Sequence, residues 1–244
     1  MDPAARRALL TIPVEDLSVA TPEELALYST ALEQSLELLS PLDYAASVSG
    51  AVRFPHVVEL NRWLMALLDG RLYFDGPGPV TDVSGFHPSR GDRPVYNLAI
   101  SMPPRHGKSY LVSEHLSAWF LTQYPDYSIL LASYEANFAA EWGGKARDHV
   151  VDHPEFGVEV DGGRAAARSM WSLAGNRGFM KCAGAGGPLT GSGGQLLVVD
   201  DPIKNAEQAM SALERDNHDN WWKTTLYTRR EPWRLLLRAI SGRS

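Results

Sequence analysis

Short apolar runs alternate with amphipathic segments through the middle of the chain. The runs lie at 96–102, 128–133, 178–183 and 195–199. Continuous apolar runs of this length are typical of strands buried on both faces of a parallel sheet. Segments with helical character follow two of them, at 111–123 and 135–151. The alternation predicts an α/β fold with a mostly parallel central sheet flanked by helices.

The first fifty residues have a helical and acidic pattern and predict an N-terminal helical segment. Apolar side chains recur at helical spacing after Thr21, at Leu25, Tyr28, Leu32, Leu36 and Leu39. This spacing predicts a docking helix. A second amphipathic helix is expected over 55–68, ended by Gly70, and the stretch 75–93 is expected to be a loop because it is rich in Gly, Pro, Asp and Ser.

Composition narrows the class of protein. The chain has 244 residues, of which 44% are hydrophobic, which is enough for one well-cored α/β domain. A formal net charge of −6 argues against a globally basic nucleic-acid-binding domain. Cys182 is the only cysteine, so an internal disulfide and a cysteine metal cluster are excluded. We expect neither a signal peptide nor a membrane span, since no apolar run is long enough.

The segment 101–110 carries the first candidate chemistry. It lies between a predicted strand and a predicted helix and contains Gly107-Lys108-Ser109. In a P-loop, backbone amides and a lysine bind phosphates and a serine hydroxyl holds Mg²⁺. The first glycine of the usual pattern is replaced by Met102, and two prolines follow it, so the amides from Arg105 through His106 to Tyr110 would form the cradle. An exposed turn with a surface lysine is the alternative.

A second candidate element ends the apolar run at 195–199. Asp200 and Asp201 follow it directly, and a glycine-rich stretch, 184–194, precedes it. At the carboxyl end of a parallel strand both acids would face the phosphates, which is the form of a Walker B element. Asp200 would hold Mg²⁺ and Asp201 would orient and deprotonate the attacking water. The alternatives are two solvated acids and a plain glycine linker.

Together these motifs resemble the ATPase domain of the large terminase subunit of tailed bacteriophages. The resemblance covers roughly residues 50 to 230 and is carried by four stretches, at 103–109, 132–134, 189–191 and 197–205. It implies a P-loop NTPase of the ASCE type that uses ATP and Mg²⁺ to drive DNA into an empty capsid. It also implies a homo-oligomeric ring that meets double-stranded DNA, a small terminase subunit and a portal protein in the host cytoplasm.

The resemblance extends to single residues. Lys108 and Ser109 match the Walker A lysine and the metal-binding hydroxyl, and Arg105 is similar to an arginine that touches the γ-phosphate. Arg147 resembles an arginine finger offered to a neighbouring subunit, with a solvated helix arginine as the alternative. Phe54 falls where the family contacts adenine, with ordinary packing as the alternative.

The end of the chain departs from the family pattern. We expect a helical segment at 1–50, the ATPase domain at 51–232 and a short basic tail at 233–244. Truncation or a frameshift would explain the tail, and the alternative is that the rest is made as a separate polypeptide. No later cluster of aspartates could hold two nuclease metals, so no nuclease activity is expected. Two other functions stay open, namely a helicase-like DNA-dependent P-loop ATPase and a non-catalytic nucleotide-binding remnant.

Overall fold

The computed structural model describes residues 20–37, 39–70, 72–74, 93–162, 166–187, 189 and 191–241. The helices are α1 (Pro22–Glu37), α2 (Pro41–Ser49), α3 (Pro55–Leu68), α4 (Leu116–Gln123), α5 (Ala136–Asp152), α6 (Ala206–Met210) and α7 (Ala212–Trp221). Two π-helical turns, Tyr110–His115 before α4 and Trp222–Leu226 after α7, and two 3-10 turns, Pro154–Phe156 and Tyr227–Arg229, complete the helical elements described. The loop predicted over 75–93 lies almost entirely outside the described residues, as do residues 1–19 of the N-terminal segment.

Nine strands are described. They are β1 (Tyr73–Phe74), β2 (Arg93–Pro94), β3 (Asn97–Met102), β4 (Ser128–Ser133), β5 (Ala166–Ala167), β6 (Met170–Ser172), β7 (Phe179–Gly184), β8 (Gly194–Asp200) and β9 (Arg230–Ser241). Seven of them form one sheet in the order β3-β9-β8-β4-β7-β6-β5. The first five of these run parallel, and the β5–β6 and β6–β7 pairs are antiparallel. The predicted α/β fold with a mostly parallel sheet flanked by helices is confirmed.

The central strands are buried on both faces, which explains their unbroken apolar sequence. In β4, Ile129 and Leu131 belong to the larger core, which they share with residues of α3, α4 and α5. Leu130, the residue between them, belongs to a second, smaller core with Trp221 and Leu226. Because successive side chains of a strand point to opposite faces, both alternating sets must be apolar when helices cover both faces.

One helix begins and ends where the sequence predicts, and a second, which was not predicted separately, has clear capping signals. α3 starts at Pro55 and ends at Leu68. α2 is capped by Ser40, whose side chain accepts a hydrogen bond from the Asp43 amide, and it ends at Gly50 in the left-handed conformation. α1 forms as predicted and contacts α2, with Ala31 buried and Leu25 and Leu32 exposed.

The structure differs from the sequence-based expectation at the end of the chain. Residues 233–244 were expected to form a basic tail, whereas Arg230–Ser241 form β9, a strand inside the sheet. β9 pairs in parallel with β3 on one side and with β8 on the other. The tail prediction is therefore wrong for 233–241, and residues 242–244 lie outside the described part of the chain.

Candidate functional site

The loop between β3 and the first π-helical turn has a tight, partly left-handed backbone. We call residues 103–109 the Gly-Lys-Ser loop. Arg105 has φ 65° and Gly107 has φ 83°. The carbonyl of Gly107 accepts a hydrogen bond of 2.9 Å from the Leu111 amide, which starts the helical segment directly after Lys108 and Ser109. The sequence therefore places Lys108 at the point where the chain turns from strand to helix.

The structure brings Lys108 to the two aspartates at the end of β8. Its Nζ lies 2.6 Å from Asp201 Oδ1 and 3.2 Å from Asp200 Oδ1. Lys108 is 6% exposed and Asp200 is fully buried, whereas the side chain of Asp201 is 28% exposed. This geometry agrees with the expectation that both acids face the loop. Their net negative charge partly offsets the cost of burying the ammonium group.

Ser113 completes what we call the lysine–aspartate cluster, which consists of Lys108, Ser113, Asp200 and Asp201. Ser113 Oγ donates a hydrogen bond of 2.8 Å to Asp200 Oδ2, and both residues are fully buried. Asp200 Oδ1 is also buried and accepts no hydrogen bond from the residues described, although the Lys108 ammonium lies close to it. Ser113 was not predicted as a site residue from the sequence. Its position four residues after Ser109 was the available signal, because such residues share one face of a helix.

A cavity of about 420 Å³ opens at this cluster. It is lined by residues of the Gly-Lys-Ser loop together with Tyr110, Trp142 and Asp201. Its volume falls in the range of roughly 300–1,000 Å³ found for small-molecule sites. Ser109 lines it and is half-buried. Trp142, on α5, is a further lining residue that the sequence analysis did not single out.

Both non-glycine residues with positive φ in the described part of the chain line this cavity. They are Arg105 and Asp201, the latter with φ 44°. Left-handed backbone at such residues costs on the order of 1–3 kcal/mol and persists where the surrounding structure enforces it. The backbone of Asp201 is held in part by a hydrogen bond of 3.1 Å, which its carbonyl accepts from the Tyr134 amide after β4.

A second cavity, of about 460 Å³, is also lined by residues of the loop. Arg105, Gly107 and Tyr110 line both cavities, and Phe54 and His106 line the second one. The Phe54 ring is 54% exposed and stacks on His56, with ring centroids 5.8 Å apart. His106 Nδ1–H donates to the Pro104 carbonyl at 2.9 Å, so its ring is fixed against the loop. The structure thus brings Phe54 beside the predicted phosphate-binding loop.

Two predicted site residues, Asp200 and Arg147, line neither cavity, and Arg147 is the one that also lies apart from the lysine–aspartate cluster. It lies on α5, where its guanidinium forms an ion pair of 2.6 Å with Asp148. This position does not test a contact with a neighbouring subunit, so the arginine-finger role stays a prediction.

Comparison with known proteins gives no further assignment. The chain matches no protein-family model and is not significantly similar to any curated protein. Within the described residues, none of the helices is long and apolar enough to cross a membrane.

Proposed function

We propose that this chain is a P-loop ATPase of the ASCE type. One observation carries the proposal, namely the approach of Lys108 to 2.6 Å from Asp201 and 3.2 Å from Asp200 beside a cavity. A lysine on a strand-to-helix loop next to acids at the end of a parallel strand supplies the charges that phosphoryl transfer needs. The left-handed conformation of Arg105 and Asp201 further supports a functional role for this cavity.

Each residue of the site has a proposed role. Lys108 binds the β/γ-phosphates together with the amides of the Gly-Lys-Ser loop, and Asp201 orients and deprotonates water. Ser109 and Asp200 would hold Mg²⁺, which would neutralise charge on the phosphates when bound. Asp200 Oδ1 is buried, accepts no hydrogen bond from the described residues and is paired only with the Lys108 ammonium, and carboxylate and hydroxyl oxygens are the ligands that Mg²⁺ prefers.

The second cavity is proposed to take the adenine base. Phe54 offers a half-exposed aromatic face there, and Arg105 lies between the two cavities, where it could contact the γ-phosphate. Aromatic faces stack well on bases. Arg147 is proposed to act on the site of a neighbouring subunit, since it does not line its own.

The finer assignment is a motor domain of a phage large terminase subunit. It is supported by the sequence resemblance at 103–109, 132–134, 189–191 and 197–205. This assignment includes the proposed partners, which are double-stranded DNA, the small terminase subunit, the portal protein and other copies of the chain in a ring. The proposed location is the host cytoplasm. A non-catalytic remnant would be more credible if the sheet lacked a strand at the end of the chain, but β9 lies in the sheet between β3 and β8.

The test is ATP hydrolysis by the purified chain with Mg²⁺. We expect Lys108→Ala and Asp201→Asn each to lower the rate by about 100-fold or more. Lys223→Ala, which changes an exposed lysine paired with Asp219, is the matched control and should retain the wild-type rate. Equal rates for all four proteins would refute the proposal. Strand unwinding stimulated by DNA alone would favour the helicase-like alternative over the packaging motor.

A further inference from the structure

A second polar cluster includes residues of the π-helical turn that follows the Gly-Lys-Ser loop, and it has no role in the proposed reaction. Glu114 and His115 end the first π-helical turn and face His149 of α5. His149 Nε2 lies 2.9 Å from Glu114 Oε1, and one ligand atom from each of the three residues lies within 4.8 Å of the others. Together with Ser49, these residues form what we call the histidine cluster.

The hydrogen bonds of His115 fix its tautomer. Its Nδ1 lies 2.9 Å from the Tyr110 carbonyl, which can only accept, so Nδ1 carries the proton. Nε2 therefore has a free electron pair and accepts from the Ser49 hydroxyl at 2.9 Å. Metal-binding histidines commonly donate their other ring N–H to a backbone carbonyl in this way. Burial also lowers the pKa of His115 to about 4, so the ring is neutral near pH 7.

Aromatic rings enclose the cluster. The ring of Tyr110 lies 4.2 Å from that of His115, and Tyr44 approaches both imidazoles edge-on with centroid distances of 6.4 and 6.5 Å. Tyr44 is fully buried, and its hydroxyl has no hydrogen-bond partner among the described residues. A buried polar group without a partner is costly and calls for an explanation, such as an unseen ion or water. His115 is fully buried, Glu114 is 8% exposed and the His149 side chain is 18% exposed, so these three side chains are largely closed to solvent, whereas Ser49 is exposed.

We propose that Glu114, His115 and His149 bind one divalent transition-metal ion, with Zn²⁺ as the best match. Two imidazoles and a carboxylate suit Zn²⁺, whereas Mg²⁺ and Ca²⁺ prefer oxygen ligands alone. The free electron pair of His115 Nε2 binds the ion instead of accepting the hydrogen bond from the Ser49 hydroxyl. It also replaces the hydrogen bond between His149 and Glu114, so the His149 nitrogen that binds the metal gives up its proton to the other ring nitrogen.

Such an ion would join the π-helical turn to α5. The turn begins at Tyr110, which lines both cavities, so the ion would hold the helical segment after Lys108 and Ser109 in place. The three protein ligands would leave the fourth position of a tetrahedral Zn²⁺ site to a water molecule. This proposal does not depend on ATP hydrolysis.

The experiment is a titration of the metal-stripped full chain with ZnCl₂ by calorimetry and with Co²⁺ by visible absorption. We expect one equivalent of Zn²⁺, a Co²⁺ spectrum of a four-coordinate nitrogen and oxygen site, and a rise in Tm with Zn²⁺. Glu114→Gln and His149→Gln should lose all three effects. His153→Ala, which changes a histidine just beyond α5 that pairs with Glu155, is the matched control and should keep them.

A measurement on the wild type alone tests the proposal even if the variants fail to fold. Zn²⁺ should protect His149 from diethyl pyrocarbonate but leave His153 reactive, as located by mass spectrometry of peptides. The proposal is overturned if the folded wild type binds no Zn²⁺, if all variants bind it equally, or if Zn²⁺ gives His149 no more protection than His153.

Discussion

Three consecutive residues of one π-helical turn serve two different polar clusters. Ser113 contacts Asp200 in the lysine–aspartate cluster, while Glu114 and His115 contact α5 and α2 in the histidine cluster. The first cluster is held by ion pairs and opens on a cavity through Asp201. The second is enclosed by aromatic rings.

The two clusters differ in the free-energy cost of burying their polar groups. In the first, a carboxylate with no exposed surface depends on one ammonium and one hydroxyl. In the second, His115 is neutral and is satisfied by a backbone carbonyl and a hydroxyl. Removing a partner from a buried charge costs more than removing one from a neutral ring. Stability measurements can therefore separate the two.

The largest effect is expected for Lys108→Ala. The change leaves the buried carboxylate of Asp200 without its counter-ion, so the free energy of unfolding should fall by about 3 kcal/mol. The measurement is urea denaturation followed by circular dichroism. Lys223→Ala, at an exposed pair, should change it by less than about 0.5 kcal/mol. If both variants lower the free energy of unfolding by similar amounts, the buried ion pair is no more important for stability than the exposed one, and the prediction is wrong.

Ser113→Ala should have the next largest effect. It removes the hydrogen bond to Asp200 Oδ2, and hydrogen bonds to charged groups contribute about 1.5–3 kcal/mol. Ser117 is the matched control, because it is equally buried one turn later and its hydroxyl has no hydrogen-bond partner among the described residues. Ser117→Ala should be neutral or stabilising in the same denaturation experiment. If Ser113→Ala is no more costly than Ser117→Ala, Ser113 does not support Asp200.

A smaller effect is expected for Ser49→Ala in the histidine cluster. The variant loses the hydroxyl that donates to His115 Nε2, a bond between neutral groups that contributes about 1 kcal/mol. Denaturation of the metal-stripped protein measures it, with the exposed Ser101→Ala as a control of near-zero effect. If Ser49→Ala lowers the free energy of unfolding by more than Ser113→Ala does, the predicted order of the two clusters is wrong.

Arg147→Ala should have the smallest effect on stability. Its partner Asp148 is 52% exposed although Arg147 itself is only 21% exposed, and ion pairs with a solvent-exposed partner contribute less than about 1 kcal/mol. Thermal unfolding should show nearly the wild-type Tm. If Arg147 acts on a neighbouring subunit, hydrolysis should fall only under conditions in which the chain assembles, and a loss that is independent of protein concentration would contradict that role.

Much of the fold could be predicted from short stretches of sequence. The strand at 128–133 and the helix at 55–68 have the predicted bounds, because an apolar run and an amphipathic period are each set by neighbouring residues. The approach of Lys108 to Asp200 and Asp201 could also be anticipated. Parallel strands present their carboxyl ends at one edge of the sheet, so motifs that follow two such strands meet there.

The sequence by itself thus determined the mostly parallel α/β class, the Gly-Lys-Ser loop and the acids at the end of β8, since all depend on local periodicity. Only the tertiary structure decided that 230–241 is a strand between β3 and β8, because parallel pairing joins segments that are distant in the chain. It also decided which neighbours Ser113, Glu114 and His115 meet. Adjacent residues of a helical turn point in different directions, so only the packing of α2, α5 and β8 around that turn assigns their partners.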